Sequence, residues 1–454
     1  MKKNVFFIFT FLLFFIREGN TQVVNYFSVP GYNELSKIDT NAYSVLPSGR
    51  YVKPAGQSIR ISHDPFGLAI SPDQKIAITM HENAITIIDL ASMQQKRIPE
   101  YNKNAFNPLK KGSFLGVAFN TNKNIVYLSG GDEGSVIIYD YVQNKKIDSI
   151  LLDGIFGGIK YEGSFTSDLI YEAKRNELLI LDRGNFRLVR YSLDNKKIIA
   201  SIATGRQPFG LAISPDQKTV LVANVGMYAY PIVEGTTKEN IQSQYINWHP
   251  YGNNTKESIE GKVIDGKKIP GLGSPNADES MSVFVIDLAT NKVKAKLKTG
   301  MLLGELVEDA EVIGGASPNS IVMGTKFAYV TNATNDNIAV IDYKRGRIAK
   351  HIAIKVDQRI DKLRGLVPFG IDLTKDEKYL FVALLGFNAV AKIDLASEKT
   401  LGLIPTGWGT TRVKLSNDDK TIYVTSCRGL GAGPNGGKNF KIPVQGSYIG
   451  DIQL

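Results

Sequence analysis

The sequence is poor in the residues that cross-link small proteins or bind metals. It contains one cysteine, Cys427, among 454 residues, so an internal disulfide is excluded and the fold must depend on its core. Only four histidines are present, and no two of them have the spacing of metal ligands. No serine-hydrolase elbow, zinc-protease, P-loop or dinucleotide motif occurs in a suitable context. The sequence therefore identifies no catalytic residue, no metal ligand and no cofactor.

The sequence also lacks long blocks of charge of one sign. The net charge of +10 comes from 54 basic and 44 acidic residues that are spread along the chain. A dispersed surplus is typical of a solvated surface and argues against nucleic acid as a partner. The apolar fraction of 43% and the charged fraction of 22% are those of an ordinary globular protein.

One apolar run stands out, and it lies at the N-terminus. Lys2 and Lys3 precede residues 5–16, which are apolar except for Thr10. A basic start followed by about a dozen apolar residues is typical of a secretory signal and is too short to span a membrane. We therefore predict a signal peptide over residues 1–21 and a protein that is exported to the periplasm, the cell surface or the medium. No transmembrane segment is predicted.

A repeat is the strongest pattern in the chain. Residues 65–75 read PFGLAISPDQK, and the same eleven letters recur at residues 208–218, with the looser copy PFGIDLTKDEK at 368–378. Each copy predicts a short strand, a polar turn, a second apolar strand, and a third strand that ends in aspartate. The repeated aspartates are interpreted as turn caps rather than as catalytic carboxylates; they are Asp89, Asp140, Asp287, Asp342 and Asp394.

The repeated strands predict the fold. They are rich in β-branched and aromatic residues, and many are apolar on both faces, as in sheets that stack against neighbours on both sides. We predict an all-β, seven-bladed β-propeller with blades of about four antiparallel strands over residues 22–454. The seven copies open near Pro65, Phe114, Phe165, Pro208, Pro318, Pro368 and Trp408.

Two stretches interrupt the repeat. The longer one, residues 226–278, is predicted to be a mostly strand-free excursion over one face, since loops of this length are usually functional. Its Trp248, His249 and Tyr251 are candidates for a lid over an opening. The shorter stretch, residues 301–315, is acidic.

The repeat resembles a known family. Residues 329–332 read YVTN, and the surrounding pattern is similar to the seven-bladed YVTN-repeat propellers of surface-layer and YncE-like proteins. The glycine-rich residues 427–437 resemble the last blade of bacterial proteins in which such a propeller precedes a phosphoesterase domain. That domain is absent from this sequence, so its activity does not follow from the resemblance.

Polar and aromatic residues cluster near the predicted starts of the inner strands. If they converge at one mouth of the channel, they form a pocket suited to an anion or a sugar; the alternative is that they are solvated loop residues. The candidate ligand-binding residues are His63, Asp64, Arg206, Arg364, Trp408 and Arg412.

Two functions remain open at this point. The first is a monomeric binding or scaffolding module that presents a site for a small ligand or a cell-envelope protein at one face of the channel. The alternative is a propeller hydrolase, lactonase-like or phosphoesterase-linked, with a metal in the channel.

The end of the chain predicts an incomplete last blade. Residues 421–425 form a second strand, and no third strand ending in aspartate follows before Leu454. Residues 57–62, or also 26–29, are available to pair as an outer strand and close the ring. We therefore expect a last blade of two or three strands, in a chain that continues into a phosphoesterase-like domain or is truncated.

Overall fold

The described residues form seven four-stranded antiparallel sheets, and the predicted all-β propeller is confirmed. The computed structural model describes residues 28–100, 104–109, 112–237, 239–240, 255–307, 310–431 and 450–453. Six sheets are each formed by one stretch of chain, and the seventh combines strands from both ends of the described chain. The innermost strands contact one another in chain order, and the last of them contacts the first, so the ring is closed.

We number the sheets 1 to 7 along the chain and give their strands from the channel outward. Sheet 1 contains Gly67–Ile70, Ile76–Met80, Ile85–Asp89 and Gln95–Ile98. Sheet 2 contains Val117–Phe119, Ile125–Ser129, Ser135–Asp140 and Lys145–Leu151. Sheet 3 contains Thr166–Glu172, Glu177–Asp182, Arg187–Ser192 and Lys197–Ala203. Sheet 4 contains Pro208–Ile213, Thr219–Asn224, Ser282–Asp287 and Lys292–Lys298.

The remaining sheets follow the same plan. Sheet 5 contains Pro318–Met323, Ala328–Asn332, Asn337–Asp342 and Arg347–Ala353. Sheet 6 contains Pro368–Leu373, Tyr379–Leu384, Ala389–Asp394 and Lys399–Pro405. Sheet 7 contains Thr410–Leu415, Ile422–Ser426, Gly450–Gln453 and Ser58–Ile61.

The core is divided among the junctions between sheets. Each of the seven clusters of buried apolar residues in the described chain combines side chains from two neighbouring sheets. Between sheets 3 and 4, for example, Leu179, Leu188, Val220 and Ile286 are all 0% exposed. Each such side chain stabilises the fold by about 1.5–3 kcal/mol. This packing explains why the middle strands are apolar on both faces.

The repeated SPD sequence forms the turn between the first and second strands, as its residues predict. Ser71 Oγ accepts a hydrogen bond from Ile76 N at 2.9 Å, and Asp73 Oδ1 accepts from Lys75 N at 3.2 Å. Gln74 completes the turn in the left-handed region, with φ of 60°. Because side-chain oxygens satisfy the turn amides, the same sequence can be reused at other sheets.

The aspartates that end the third strands are turn caps, as predicted. Asp89 Oδ1 accepts hydrogen bonds from Ala91 N at 3.1 Å and Ser92 N at 2.7 Å. Asp140 and Asp287 each accept in the same way from the amides two and three residues later. These carboxylates lie on outer turns, away from the channel.

The glycine of the Pro-Phe-Gly motif allows the inner strands to approach closely. A Cβ atom on Gly210 would lie 2.1 Å from the carbonyl oxygen of Asn319 in the next sheet. A Cβ on Gly67 would lie 2.6 Å from the carbonyl oxygen of Leu115. Any side chain here would therefore push neighbouring backbones apart.

The prediction of a thin last sheet is wrong. Gly450–Gln453 supplies the third strand of sheet 7, and it pairs with the strand Ile422–Ser426. Ser58–Ile61 then pairs with Gly450–Gln453 as the outermost strand, which confirms the predicted role of residues 57–62. Residues 28 and 29 lie outside any strand.

The two ends of the ring differ in their connections. Turns of four to six residues join the first strand to the second and the third to the fourth, and we call this end the turn face. The other connections emerge at the opposite end, which we call the loop face. Every connection longer than six residues between described strands leaves and re-enters the sheets at the loop face; these connections are residues 99–116, 152–165, 225–281, 299–317, 354–367 and 427–449.

Short elements occupy the long connections. The insertion in sheet 4 contains the helix Lys256–Glu260, capped by Thr255, and a hairpin of Gly261–Ile264 and Lys267–Pro270. It is therefore more ordered than the predicted excursion, and the lid candidates Trp248, His249 and Tyr251 lie outside the described residues. None of the described helices is long and apolar enough to cross a membrane.

Three more hairpins and a single 3-10 turn lie outside the seven sheets of the described chain. The hairpins are Ser44–Val45 with Tyr51–Val52, Gly154–Phe156 with Ile159–Tyr161, and Leu306–Val307 with Ala310–Glu311. The 3-10 turn is Gln358–Ile360.

Candidate functional site

A layer of phenylalanine rings crosses the channel just below the loop face. Phe66 contacts Phe369 with ring centroids 5.8 Å apart, and Phe369 contacts Phe209 at 5.8 Å. Phe209 contacts Phe114 at 5.3 Å, and Phe114 contacts Phe165 at 5.6 Å. The first three of these contacts join sheets that are not neighbours in the ring. The rings therefore meet at the channel axis, and we call these five residues the phenylalanine layer.

Two arginines lie against this layer from opposite sides. The guanidinium carbon of Arg183, in a short loop-face turn, lies 5.8 Å from the Phe114 ring and 5.9 Å from the Phe165 ring. Arg412, on the inner strand of sheet 7, lies 5.7 Å from the Phe369 ring. Cation–π contacts of this kind favour a fixed ring arrangement. The two guanidinium groups therefore help to hold the five rings in place.

Below the layer the channel contains a cavity of about 570 Å³. Inner strands of all seven sheets line it, and its far end reaches Gln74 and Asn417 in the turn-face turns. None of the five rings of the phenylalanine layer lines it. The cavity therefore opens at the turn face, and Arg412 is the one predicted site residue that lines it.

Three charged side chains line this cavity, and a fourth, Asp372, directly follows the lining residue Ile371. Arg412 and Lys414 alternate with the buried Val413 on one strand, so they face the same way. Asp168 lies on the inner strand of sheet 3, where burial raises the pKa of its carboxyl although Arg412 opposes the rise. Asp372, on sheet 6, accepts a hydrogen bond from Leu415 N at 2.8 Å.

Three of the predicted site residues lie together on the loop face. His63 Nδ1 is 3.1 Å from Asp64 Oδ2, which is also 3.5 Å from Arg428 Nη1. The main chain of Trp408 pairs with that of Arg428 and Gly429. Burial opposes ionisation of Asp64, but His63 and Arg428 lower the pKa of its carboxyl overall. Cys427 beside them is buried, as expected of a small apolar residue, and burial raises its thiol pKa.

The other three predicted residues do not join this group. Arg412 lies in the channel beneath the phenylalanine layer, and Arg364 is exposed in the connection between sheets 5 and 6. Arg206 Nη1 donates to the carbonyl oxygens of Met227 at 2.7 Å and Ser274 at 2.8 Å. Arg206 therefore clamps the two ends of the sheet 4 insertion.

We expect the variant Arg206→Met to loosen the insertion without unfolding the propeller. It removes two charge-assisted hydrogen bonds, which stabilise the closed insertion by about 1–3 kcal/mol. Limited proteolysis should cut within residues 225–281 about tenfold faster, while the thermal midpoint of the whole protein changes little. Arg364→Met, on the same face, is the matched control. Equal cleavage rates in both variants and wild type would contradict the clamp.

The loop face carries most of the exposed apolar surface. Nine of the seventeen exposed large hydrophobic side chains in the described chain lie in its long connections. Four more, among them Tyr32 and Leu35, lie in the N-terminal segment 28–57, which bonds to the loop face through Arg50 and Ala55. The nine are Phe106, Ile155, Ile159, Tyr230, Ile232, Val263, Leu306, Ile313 and Leu363.

Sequence reasoning missed Asp168, Lys414 and Arg183. Asp168 and Arg412 both stand where Gly67, Gly210 and Gly370 stand in the other inner strands. A charged residue in place of a repeated glycine is visible once the seven copies are aligned, and it would have singled out the channel. Within the described residues, no three histidine, cysteine or acidic side chains gather as a metal site.

Comparison with known proteins supports the fold and no more. No family model matches the sequence, and no curated protein is significantly similar to it. Among 1532 matching chains of solved structures is hydrazine synthase of Kuenenia stuttgartiensis, with a TM-score of 0.53 and 16% identity. The match covers 83% of this chain and 96% of that one. At this identity the similarity shows a shared propeller and does not extend to activity.

Proposed function

We propose that this protein is a binding module whose loop face captures a protein of the cell envelope. The observation that carries the proposal is the asymmetry of the ring: all long connections and most exposed apolar side chains lie on one end. Contiguous exposed apolar surface on a soluble fold is typical of interaction sites. Loops that a rigid scaffold positions are the usual carriers of such sites.

The hairpin between sheets 2 and 3 is the most prominent element of this surface. Ile155 and Ile159 lie on its two strands and are 78% and 57% exposed. Gly157 and Gly158 form the tip, both with positive φ. The hairpin makes no contribution to the seven sheets. Its apolar side chains are therefore free to be buried by a partner.

We expect the double variant Ile155→Asp/Ile159→Asp to lose the partner. Burying two carboxylates in the interface costs more free energy than the replaced isoleucine contacts supply. Recovery of the partner should therefore fall at least tenfold. The measurement is affinity capture from a cell-envelope extract with purified wild type and variant. Equal thermal midpoints would verify that both proteins are folded.

Val142→Asp is the matched control, because Val142 is 58% exposed but lies in a turn on the turn face. It should capture the same protein as wild type. If the hairpin variant retains the same partner, or if Val142→Asp loses it as well, the loop face is not the binding surface.

We further propose that the protein is exported and belongs among the seven-bladed YVTN-repeat propellers. The basic residues and the apolar run at the N-terminus support the first part. The YVTN letters lie in the second strand of sheet 5, and the seven sheets support the second part. N-terminal sequencing of protein recovered outside the cytoplasm tests the export, with a start near residue 22 as the expected result.

A further inference from the structure

The channel cavity contains more unused hydrogen-bond donors than unused acceptors. Arg412 donates from Nε to the carbonyl oxygen of Phe66 at 2.8 Å and from Nη1 to Ser320 Oγ at 2.9 Å. Its Nη2 makes no hydrogen bond within the described residues. The side chain of Lys414 forms neither a hydrogen bond nor an ion pair within the described residues. Two cationic side chains therefore lie on one wall of the cavity, and both have hydrogen-bond donors that no described protein group uses.

The cavity carboxylate Asp168 and the neighbouring carboxylate Asp372 both accept hydrogen bonds from main-chain amides. Asp372 accepts from Leu415 N at 2.8 Å through one oxygen and from Leu373 N at 3.1 Å through the other. Asp168 Oδ1 accepts from Leu169 N at 2.9 Å. Neither carboxylate lies within 4.0 Å of the Arg412 or Lys414 nitrogens. The cations are therefore not neutralised by direct pairing.

The remaining walls suit an organic molecule rather than water alone. Leu68, Ile170, Ile213 and Val322 are among the aliphatic residues that line the cavity. Its volume of about 570 Å³ lies within the range of small-molecule sites. A cavity in which aliphatic side chains alternate with a few charged groups is typical of such sites.

We propose that the channel binds a small organic anion, whose carboxylate or phosphate group is held by Arg412 and Lys414 and whose apolar body contacts the aliphatic walls. The anion enters from the turn face, because the cavity reaches Gln74 and Asn417 in the turns at that end. Ser320 and Phe66 hold the guanidinium in place, so the site is arranged before the ligand arrives. This site is independent of the proposed partner surface, which lies at the opposite end of the ring.

Lys414→Ala is the decisive variant, because Ala69, Ala118 and Ala212 stand at the corresponding place in sheets 1, 2 and 4. The experiment is calorimetric titration of the full chain with phenyl phosphate and with inorganic phosphate. We expect wild type to bind phenyl phosphate more tightly than inorganic phosphate. Lys414→Ala should weaken phenyl phosphate binding at least tenfold, and Lys414→Arg should restore most of it.

Lys344→Ala, an exposed lysine in a turn of sheet 5, is the control for adventitious surface binding and should leave the affinity unchanged. The proposal is overturned if wild type binds neither probe at millimolar concentration. It is also overturned if Lys414→Ala binds as wild type does, or if Lys344→Ala weakens binding equally. Capture of the envelope partner by Lys414→Ala should be normal, so failure of either proposal is distinguishable from failure of the other.

Discussion

Replacing Asp182 by leucine should lower the free energy of unfolding by about 3–5 kcal/mol, because it leaves the charge of Arg187 buried without a partner. Arg187 is 1% exposed and Asp182 is 0% exposed. The Arg187 Nε lies 2.8 Å from Asp182 Oδ2, and its Nη2 donates to the carbonyl oxygen of Leu152 at 2.7 Å. Urea denaturation of wild type and variant measures the loss.

The position of the Asp182–Arg187 ion pair explains the size of the expected loss of stability. Asp182 also accepts from Ser164 Oγ at 2.8 Å, from Phe165 N at 3.1 Å and from Asn185 Nδ2 at 3.0 Å. The guanidinium carbon of Arg187 lies 3.5 Å from the centre of the Tyr161 ring. One carboxylate thus joins the second strand of sheet 3 to the two loop-face connections beside it. Its removal leaves several buried donors unsatisfied.

A double variant separates the unpaired charge from general damage. Asp182→Leu/Arg187→Met removes both charges, so it should be more stable than Asp182→Leu alone. Sheet 6 already uses the apolar pair Leu384 and Ala389 at the same register. Asp89→Leu, which removes only an outer turn cap, should cost about 1 kcal/mol. A double variant no more stable than the single one would show that the buried charge is not the cause.

Between pH 7 and pH 5 the fold should lose about 2 kcal/mol of stability through His81 alone. His81 is 4% exposed, and burial lowers the pKa of its imidazole to about 3. Its Nε2 lies 2.9 Å from Thr79 Oγ1 and 3.0 Å from Thr86 Oγ1, and its Nδ1 lies 2.9 Å from the carbonyl oxygen of His63. The ring is therefore held neutral, with the Nδ1 proton donated to that carbonyl.

The direction of this change in stability follows from the pKa values of His81 in the folded and the unfolded chain. An unfolded histidine has a pKa of about 6.5, so below that pH the unfolded chain binds a proton that the folded protein excludes. The contribution of neutral His81 to stability is complete above pH 6.5, and it is lost as the pH falls toward the pKa of His81 in the folded protein. Asp64 stays ionised across this interval, since its pKa is lowered.

His81→Asn should flatten this pH dependence, because an amide does not titrate and Asn224 ends the corresponding strand of sheet 4. Urea midpoints of wild type and variant at pH 7 and pH 5 provide the measurement. If the variant loses as much stability between pH 7 and pH 5 as wild type does, groups other than His81 cause the loss.

Most of the strands, their turns and their order could be predicted from local sequence. The eleven-residue repeat located the inner strands of sheets 1 and 4, because a Pro-Phe-Gly start and an SPD turn impose local backbone conformations that neighbours in the chain satisfy. The third-strand aspartates were identified as caps for the same reason. The outer strand of sheet 7 was also predicted, since a ring without it would leave an unpaired edge. The strand Gly450–Gln453 was missed, because it lacks the terminal aspartate of the other third strands and follows a glycine-rich stretch.

The positions of the candidate residues relative to the channel depend on the closure of the ring, which local sequence does not specify. Trp408 and Arg412 are four residues apart, yet one lies on the loop face and the other lies beneath the phenylalanine layer. The layer is formed by rings from sheets far apart in sequence, which meet only because the ring closes. Arg206 could not be told from a ligand-binding arginine, because its partners are main-chain oxygens of a distant insertion. Local sequence sets the conformation of each strand, but closure of the ring sets which side chains share a space.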